Sequence, residues 1–219
     1  MLLTGFPAGM LACNCYVLAR RQGSDAIVVD PGQRAFGPLR RILDENRLTP
    51  AAVLVTHGHI DHIWSAQKVA DTFGCPVYIH PADRFMLADP IRGFGPRIAQ
   101  VAFGTLFREP RQVVELDRDG IVLDIGGMAV GVDHTPGHTR GSVALRVGEY
   151  GVVFTGDTLF KQSVGRTDLP GGSGRDLLDS IITKLLVLDD DTRVLPGHGE
   201  TTTIGAERRT NPFLQGMRL

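Results

Sequence analysis

Three histidines and one aspartate fall within the six residues His57-Gly58-His59-Ile60-Asp61-His62, and the apolar run Ala51-Ala52-Val53-Leu54-Val55 leads almost directly into them. The chain has 7 histidines in 219 residues, so this crowding asks for a chemical reason. Imidazole nitrogens and carboxylate oxygens are donors that divalent transition metals take. A strand ending at Val55 feeds an irregular loop, in which His57 and His59, two apart in extended backbone, turn their rings to one side and bind one ion. Asp61 and His62 fall at the turn into the next helix, point elsewhere and suit a second ion. Helix capping needs only Asp61 and leaves three imidazoles without a role.

Three further segments share one design, an apolar strand, a glycine turn and then a ligand type. They are Asp133-His134-Thr135-Pro136-Gly137-His138, Val152-Val153-Phe154-Thr155-Gly156-Asp157 and Val194-Leu195-Pro196-Gly197-His198. Each puts a histidine or aspartate at the carboxyl end of a strand, the edge where ligands gather in α/β architecture.

The elements that must position these residues are short apolar runs interleaved with helical ones. Strands are expected at 15–19, 26–30, 51–56, 76–79, 121–125, 128–133, 142–147, 151–155 and 192–195. Helices are expected at 37–47, 63–73, 81–88 and 175–188, with a short one at 204–210 stopped by Asn211-Pro212. The helix over 175–188 carries leucine or isoleucine at 177, 178, 181, 182, 185, 186 and 188, a broad apolar face. Sheets covered on the outside by helices follow from this mix, and 27 glycines imply many tight turns.

With 219 residues, 42% of them hydrophobic, the chain reads as one domain over 1–219. The net charge is −1 and no run of Lys or Arg exceeds two, which leaves no electrostatic footprint for nucleic acid or a membrane surface and favours a small-molecule substrate. The cysteines Cys13, Cys15 and Cys75 lack C-x-x-C spacing and argue for a reducing compartment, the cytoplasm. Met10-Leu11-Ala12-Cys13 faintly resembles a lipoprotein cleavage box, but no positive segment precedes it and it reads as mature protein. No apolar stretch has the length of a membrane span.

In its order of motifs, H-x-H-x-D-H followed by His138, Asp157 and His198, the chain resembles the metallo-β-lactamase superfamily of binuclear metallohydrolases over nearly its whole length. The resemblance implies an αββα sandwich, two mixed sheets packed face to face with helices outside and the metals at one rim. It implies that His57, His59 and His138 hold one ion, that Asp61, His62 and His198 hold the other, and that Asp157 bridges them. Zinc suits this shell best, while iron or manganese is compatible with it. Asp61 and Asp157 would act with a metal-bridging hydroxide, generated at neutral pH without a separate general base. Asp30, in Val28-Val29-Asp30-Pro31-Gly32, resembles the family's aspartate that orients a ligand histidine.

Narrower motifs, Gly165-Arg166-Thr167-Asp168, Pro196-Gly197-His198-Gly199 and Glu207 to Phe213, resemble the small glyoxalase II-like hydrolases. That likeness implies hydrolysis of S-(2-hydroxyacyl) thioesters of glutathione or a related low-molecular-weight thiol. Thr167 and Asp168 stand where two-domain relatives carry aromatic residues that help hold glutathione. Arg166 is a candidate to meet a carboxylate of the thiol carrier, with pairing to Asp168 as its structural alternative. Mononuclear-iron persulfide dioxygenases share the histidine cluster, a Gly-Arg-Thr-Asp segment and an Asn-Pro, and are the rival reading; a lactone hydrolase is a third. His80 and His134 match no ligand position and are expected to make structural hydrogen bonds, and Cys13 and Cys15 to pack. The segment 89–110, with Phe94, Phe103 and Phe107 among glycines and prolines, is a candidate lid or dimer contact, with a plain buried connection as its alternative.

Overall fold

A computed structural model describes residues 1–90 and 107–215. The first half runs β1 (Leu2–Ala8), β2 (Cys13–Ala19), β3 (Asp25–Val29), α1 (Phe36–Asn46), β4 (Thr49–Leu54), α2 (Ile60–Ile63), α3 (Ala66–Phe73), β5 (Val77–Ile79), α4 (Pro81–Arg84) and β6 (Val113–Glu115). The second runs β7 (Val122–Ile125), β8 (Met128–His134), β9 (Val143–Val147), β10 (Val152–Gly156), β11 (Leu159–Phe160), β12 (Ser163–Val164), α5 (Gly174–Ser180), β13 (Arg193–Pro196), β14 (Thr202–Thr203) and α6 (Ile204–Thr210).

One sheet has the order β1-β2-β3-β4-β5-β6, antiparallel from β1 to β3 and parallel from β3 to β6. Parallel neighbours need crossovers, and α1 and α3 supply them on either side of β4. The other sheet has the order β14-β13-β10-β9-β8-β7, in which β10 and β13 are parallel, with α5 between them in the chain.

Side-chain alternation explains how four layers form. Along β2, Cys15, Val17 and Ala19 face α1 and α3, where they meet Leu39, Leu43 and Val69, while Leu18 points the other way. Leu18, Ile27 and Leu54 then meet Met128, Leu145 and Phe154 of the second sheet. Beyond that sheet, Ala144, Val153 and Val194 pack on Leu177, Ile181, Leu185 and Ile204. Three apolar layers between four structural ones give the αββα sandwich, and each fully buried leucine or isoleucine contributes about 1.5–3 kcal/mol.

Strand direction gathers the candidate ligands on one rim. β3, β4 and β5 share a direction; β8 and β10 are both antiparallel to β9, so β8, β10 and β13 share one too. Where the rims meet, the Val143 N–H donates to the Thr56 carbonyl at 2.8 Å.

Several expected elements differ in detail. The helix over 63–73 divides into α2 and α3, and Ser65 between them turns its Oγ to donate to the Gly32 carbonyl at 2.7 Å. The helix over 81–88 holds α geometry only to Arg84 and tightens into a 3-10 turn at Phe85–Leu87. The one over 175–188 widens into a π turn at Ile181–Leu185, which keeps its apolar face on the sheet. Residues 91–106, with Phe94 and Phe103 of the lid or dimer-contact expectation, lie outside the described residues; Phe107 packs edge-on against Trp64 at 5.1 Å. Among the described residues no helix is long and apolar enough to cross a membrane.

Candidate metal centre

The loop that leaves β4 carries His57 and His59, and α2 opens with His59 as its N-cap and Asp61 in its first turn. The segment after β8 carries His138, the end of β10 delivers Asp157 and the end of β13 delivers His198. All seven expected site residues therefore meet on the common rim. His57 Nε2 and His59 Nδ1 stand 3.1 Å apart, and His138 Nε2 stands 2.8 Å from the same His59 nitrogen. Three nitrogens bound to one tetrahedral zinc at its usual bond length would stand roughly 3.3 Å apart, so the spacing is close to that of a ligand triad.

A second group adjoins the first. His198 Nε2 is 3.2 Å from Asp61 Oδ2, and His62 Nε2 is 3.8 Å from that oxygen. Asp157 reaches both groups: Oδ1 lies 3.4 Å from His62 Nε2, and Oδ2 lies 3.5 Å from His138 Nε2 and 3.6 Å from His198 Nε2. His62 Nε2 and Asp157 Oδ1 are buried without a hydrogen-bond partner. Orphaned buried atoms of this kind are rare unless something else binds them, so the donor set fits metal ions. Gly197 keeps the space open, since a Cβ there would come within 2.2 Å of Asp157 Oδ1 and 2.6 Å of His62 Cε1.

The other nitrogens of these rings are tied back into the fold. Asp30, at a left-handed φ of 47° after β3, accepts from His62 Nδ1 at 2.9 Å and from the Thr56 hydroxyl at 2.6 Å on Oδ2, and from the Thr56 N–H at 2.8 Å on Oδ1. His138 Nδ1 donates to the Arg166 carbonyl at 2.8 Å, and His198 Nδ1 donates to the Leu11 carbonyl at 3.0 Å. These contacts select the tautomers whose Nε2 lone pairs face the rim. Burial, then the neighbouring His138 and His62, depresses His59 to about 3, and burial likewise drives His57 well down, so both stay neutral donors. Burial pushes the Asp61 carboxyl up, but the hydrogen bond from His198 and the nearby His62 outweigh it and hold it well below the usual carboxylate range.

Two supports were not apparent from sequence. Asp83 of α4 is 1% exposed and clamps both histidine loops: Oδ2 accepts from the Gly58 N–H at 2.9 Å and the Thr139 hydroxyl at 2.7 Å, and Oδ1 accepts from the Gly141 N–H at 3.0 Å. On the other side, Asn14 donates through Nδ2 to the Pro196 and Gly199 carbonyls, each at 3.0 Å, and the Tyr16 hydroxyl donates to Pro196 at 2.8 Å. The Asn14 N–H adds a bond to the Gly197 carbonyl at 2.7 Å. A lone Asp in a short helix and an Asn-Cys-Tyr strand carry no metal-like spacing; only their pairing in space reveals them.

Arg166 pairs with Asp168 through two bonds of 2.7 Å, and both side chains are largely exposed. They line a groove of ≈ 530 Å³ with Gly165, Leu177, Leu178 and Phe213. A cavity of ≈ 770 Å³ lies between β1 and the Gly199–Thr203 segment, and none of the clustered histidines lines it. His80 and His134 stack face to face at 4.2 Å; His80 Nδ1 accepts from the Ala82 N–H, and His134 Nε2 donates to the Arg140 carbonyl. Cys15 packs into the outer core beneath α1 and α3, as expected. Cys13 is also buried, but beside His62 and Asp61, and burial pushes its thiol up to about 11 against the pull of His62.

Comparison with known proteins agrees with this geometry. The family model described as the metallo-beta-lactamase superfamily matches residues 8–198. An uncharacterised protein of Mycobacterium tuberculosis is 73% identical over 222 residues, covering 99% of both chains. The hydroxyacylglutathione hydrolase GloC of Haemophilus influenzae is 37% identical over 195 residues, 87% of each chain. Among solved structures, the BLEG-1 B3 metallo-beta-lactamase superposes with a TM-score of 0.85 at 39% identity, covering 98% of this chain and 100% of that one. TTHA1623 in a di-iron-bound form gives 0.80 at 36%, covering 98% and 100%. ETHE1 from Myxococcus xanthus gives 0.80 at 26%, covering 100% and 86%.

Proposed function

The chain belongs to the metallo-beta-lactamase superfamily, and from that premise we propose that it is a binuclear metal-dependent hydrolase of S-(2-hydroxyacyl) thioesters of glutathione or a related low-molecular-weight thiol. The observation that carries the reading is the position of Asp157, whose two oxygens face two adjoining groups of ligand-type side chains. His57, His59 and His138 would hold one ion, Asp61, His62 and His198 the other, with Asp157 between them. Bound there, two divalent ions would lower the pKa of a shared water toward 7 and supply hydroxide at neutral pH.

The chain's own residues do the rest. Asp30, the Arg166 carbonyl and the Leu11 carbonyl hold His62, His138 and His198 in single orientations, so no reorganisation is needed when substrate arrives. Burial keeps His57 and His59 unprotonated. A thioester suits a rim without a dedicated proton donor, because the departing thiol has a pKa near 8.5 and leaves as the thiolate. The groove beside Arg166 and Phe213 would receive the thiol carrier, with Arg166 exchanging Asp168 for a carrier carboxylate; the pair is solvent-exposed and holds it only weakly. Similarity to the Haemophilus influenzae hydroxyacylglutathione hydrolase supports the substrate class.

Zinc is the proposed metal, and the di-iron form of TTHA1623 keeps iron as the alternative. The likeness to ETHE1 supports a second reading, a mononuclear-iron persulfide dioxygenase. We further propose cytoplasmic action on a small molecule, without nucleic acid or membrane partners. Protein loaded with zinc, and separately with iron, is to be assayed for loss of thioester absorbance with S-lactoylglutathione, with His59→Ala as the blank. Rapid loss that vanishes in the variant supports the proposal. No loss from protein holding two ions refutes it, and persulfide-dependent oxygen uptake then tests the rival.

A further inference from the structure

Cys13 opens β2 with its side chain wholly buried. Its Sγ belongs to one cluster with ligand atoms of Asp61, His62 and His198, all within 4.8 Å of one another. Those three are the residues assigned above to the second ion, and this inference rests on that assignment. His62 Nε2, buried and without a hydrogen-bond partner, belongs to the same cluster. Sγ makes a long, weak contact of 3.9 Å with the Asn14 carbonyl, which leaves it free to turn to a metal ion.

The backbone holds the thiol in that place. The Leu11 carbonyl, two residues before Cys13, accepts from His198 Nδ1 at 3.0 Å, and the Asn14 N–H, one residue after, donates to the Gly197 carbonyl at 2.7 Å. Cys13 is therefore fixed beside His198 from both sides. Cys15 packs against the apolar side chains beneath α1 and α3, and among the described residues it belongs to no cluster of ligand types.

We propose that Cys13 is a ligand of the second ion, its thiolate completing a Cys-Asp-His-His set with Asp61, His62 and His198. On binding, the S–H bond breaks, the proton passes to solvent and a sulfur–metal bond forms, with no change of oxidation state. Sulfur makes the second position softer than the all-nitrogen triad of His57, His59 and His138, so it favours zinc over manganese there. With Asp157 between the two ions, the thiolate would add a fifth protein donor at the second position and set it apart from the first.

Cobalt(II)-loaded protein tests this without recourse to activity. The expected result is two cobalt ions per chain with a thiolate-to-cobalt charge-transfer band in the near ultraviolet. The band is lost in Cys13→Ser, kept in Cys15→Ala, and the second ion binds at least about ten-fold more weakly in Cys13→Ser. X-ray absorption of the zinc-loaded wild type, which needs no variant to fold, should show a sulfur scatterer at about 2.3 Å. Two bound ions with neither band nor sulfur scatterer overturn the proposal, as does a band that survives in Cys13→Ser. One ion with the band sustains Cys13 as a ligand and removes the binuclear reading, whereas failure to bind any ion overturns both.

Discussion

Replacing Asp83 with alanine removes one buried carboxylate and leaves three donors, the Gly58 and Gly141 N–H groups and the Thr139 hydroxyl, facing a void. Hydrogen bonds to a charged acceptor are worth about 1.5–3 kcal/mol each. Their simple sum overstates the loss, because the loops relax and water can enter. The carboxylate is also costly to bury: burial raises its pKa above the ordinary value in spite of its three hydrogen bonds. The net cost expected for Asp83→Ala is about 3–5 kcal/mol, the upper range for single substitutions. At about 2–4 °C per kcal/mol for a chain of this size, that is a fall in Tm of roughly 10 °C. Asp83→Asn keeps an acceptor on the side of Gly58 and Thr139 but sets an amide N–H₂ against the Gly141 N–H, so about half the loss remains. Urea unfolding of metal-free protein gives the stability term, and zinc titration of the folded variants gives the consequence for the site, a loss of roughly ten-fold in affinity. Stability of Asp83→Ala within about 0.5 kcal/mol of wild type, or zinc affinity unchanged beside a large loss of stability, would refute the clamp.

Three shorter predictions concern other supports. Asn14→Ala frees the Pro196–Gly199 turn from two side-chain bonds and should weaken one of two bound ions by roughly ten-fold while sparing the other, as read by isothermal titration; equal weakening of both would contradict the assignment. Gly197→Ala should fold at a cost of about 1–3 kcal/mol yet bind fewer than two ions by elemental analysis, because its Cβ enters the space of Asp157 and His62; full binding would show that the rim is not shaped by this glycine. Burial, then the neighbouring His134, depresses His80 from 6.5 to about 4, so between those values the unfolded chain holds a proton that the folded chain refuses. Its contribution to stability is complete above pH 6.5 and is lost as the pH falls toward 4; His80→Asn, which can still cap α4, should flatten that part of a plot of urea midpoint against pH.

The rim was legible where chemistry crowds the sequence. Three imidazoles in six residues point to metal-ligand chemistry from sequence alone, and the runs Ala26–Val29 and Val152–Thr155 declare buried strands. What stayed hidden depends on contacts across the chain. Residues 2–8 read poorly as a strand because of Gly5 and Pro7, yet β1 sits at a sheet edge, where proline is tolerated, and Gly5 leaves room for the Tyr16 ring, which a Cβ would approach to 2.5 Å. Cys13 lies two residues from Cys15, on the same face of a strand, and so read as core, but β2 begins there and its first side chain falls onto the rim. Arg166 stood out for its charge; its guanidinium pairs with Asp168, the structural alternative, and its backbone carbonyl accepts from His138.

The bond from Asn14 to Pro196 joins residues 182 apart, and this separation sets an order of assembly. The group of His57, His59 and His138 is complete once β8 has paired with β9 and the Val143 N–H has met the Thr56 carbonyl at the end of β4, well before the end of the chain. The group of Asp61, His62 and His198 waits for β13 to reach back to β2. A chain made from its amino end therefore passes through a stage in which the first group is assembled and the second is not. Closing so long a loop adds little entropy per further residue, but it delays the contact that depends on it. Under the proposed assignment of two ions, their order of loading would follow the connectivity of the fold.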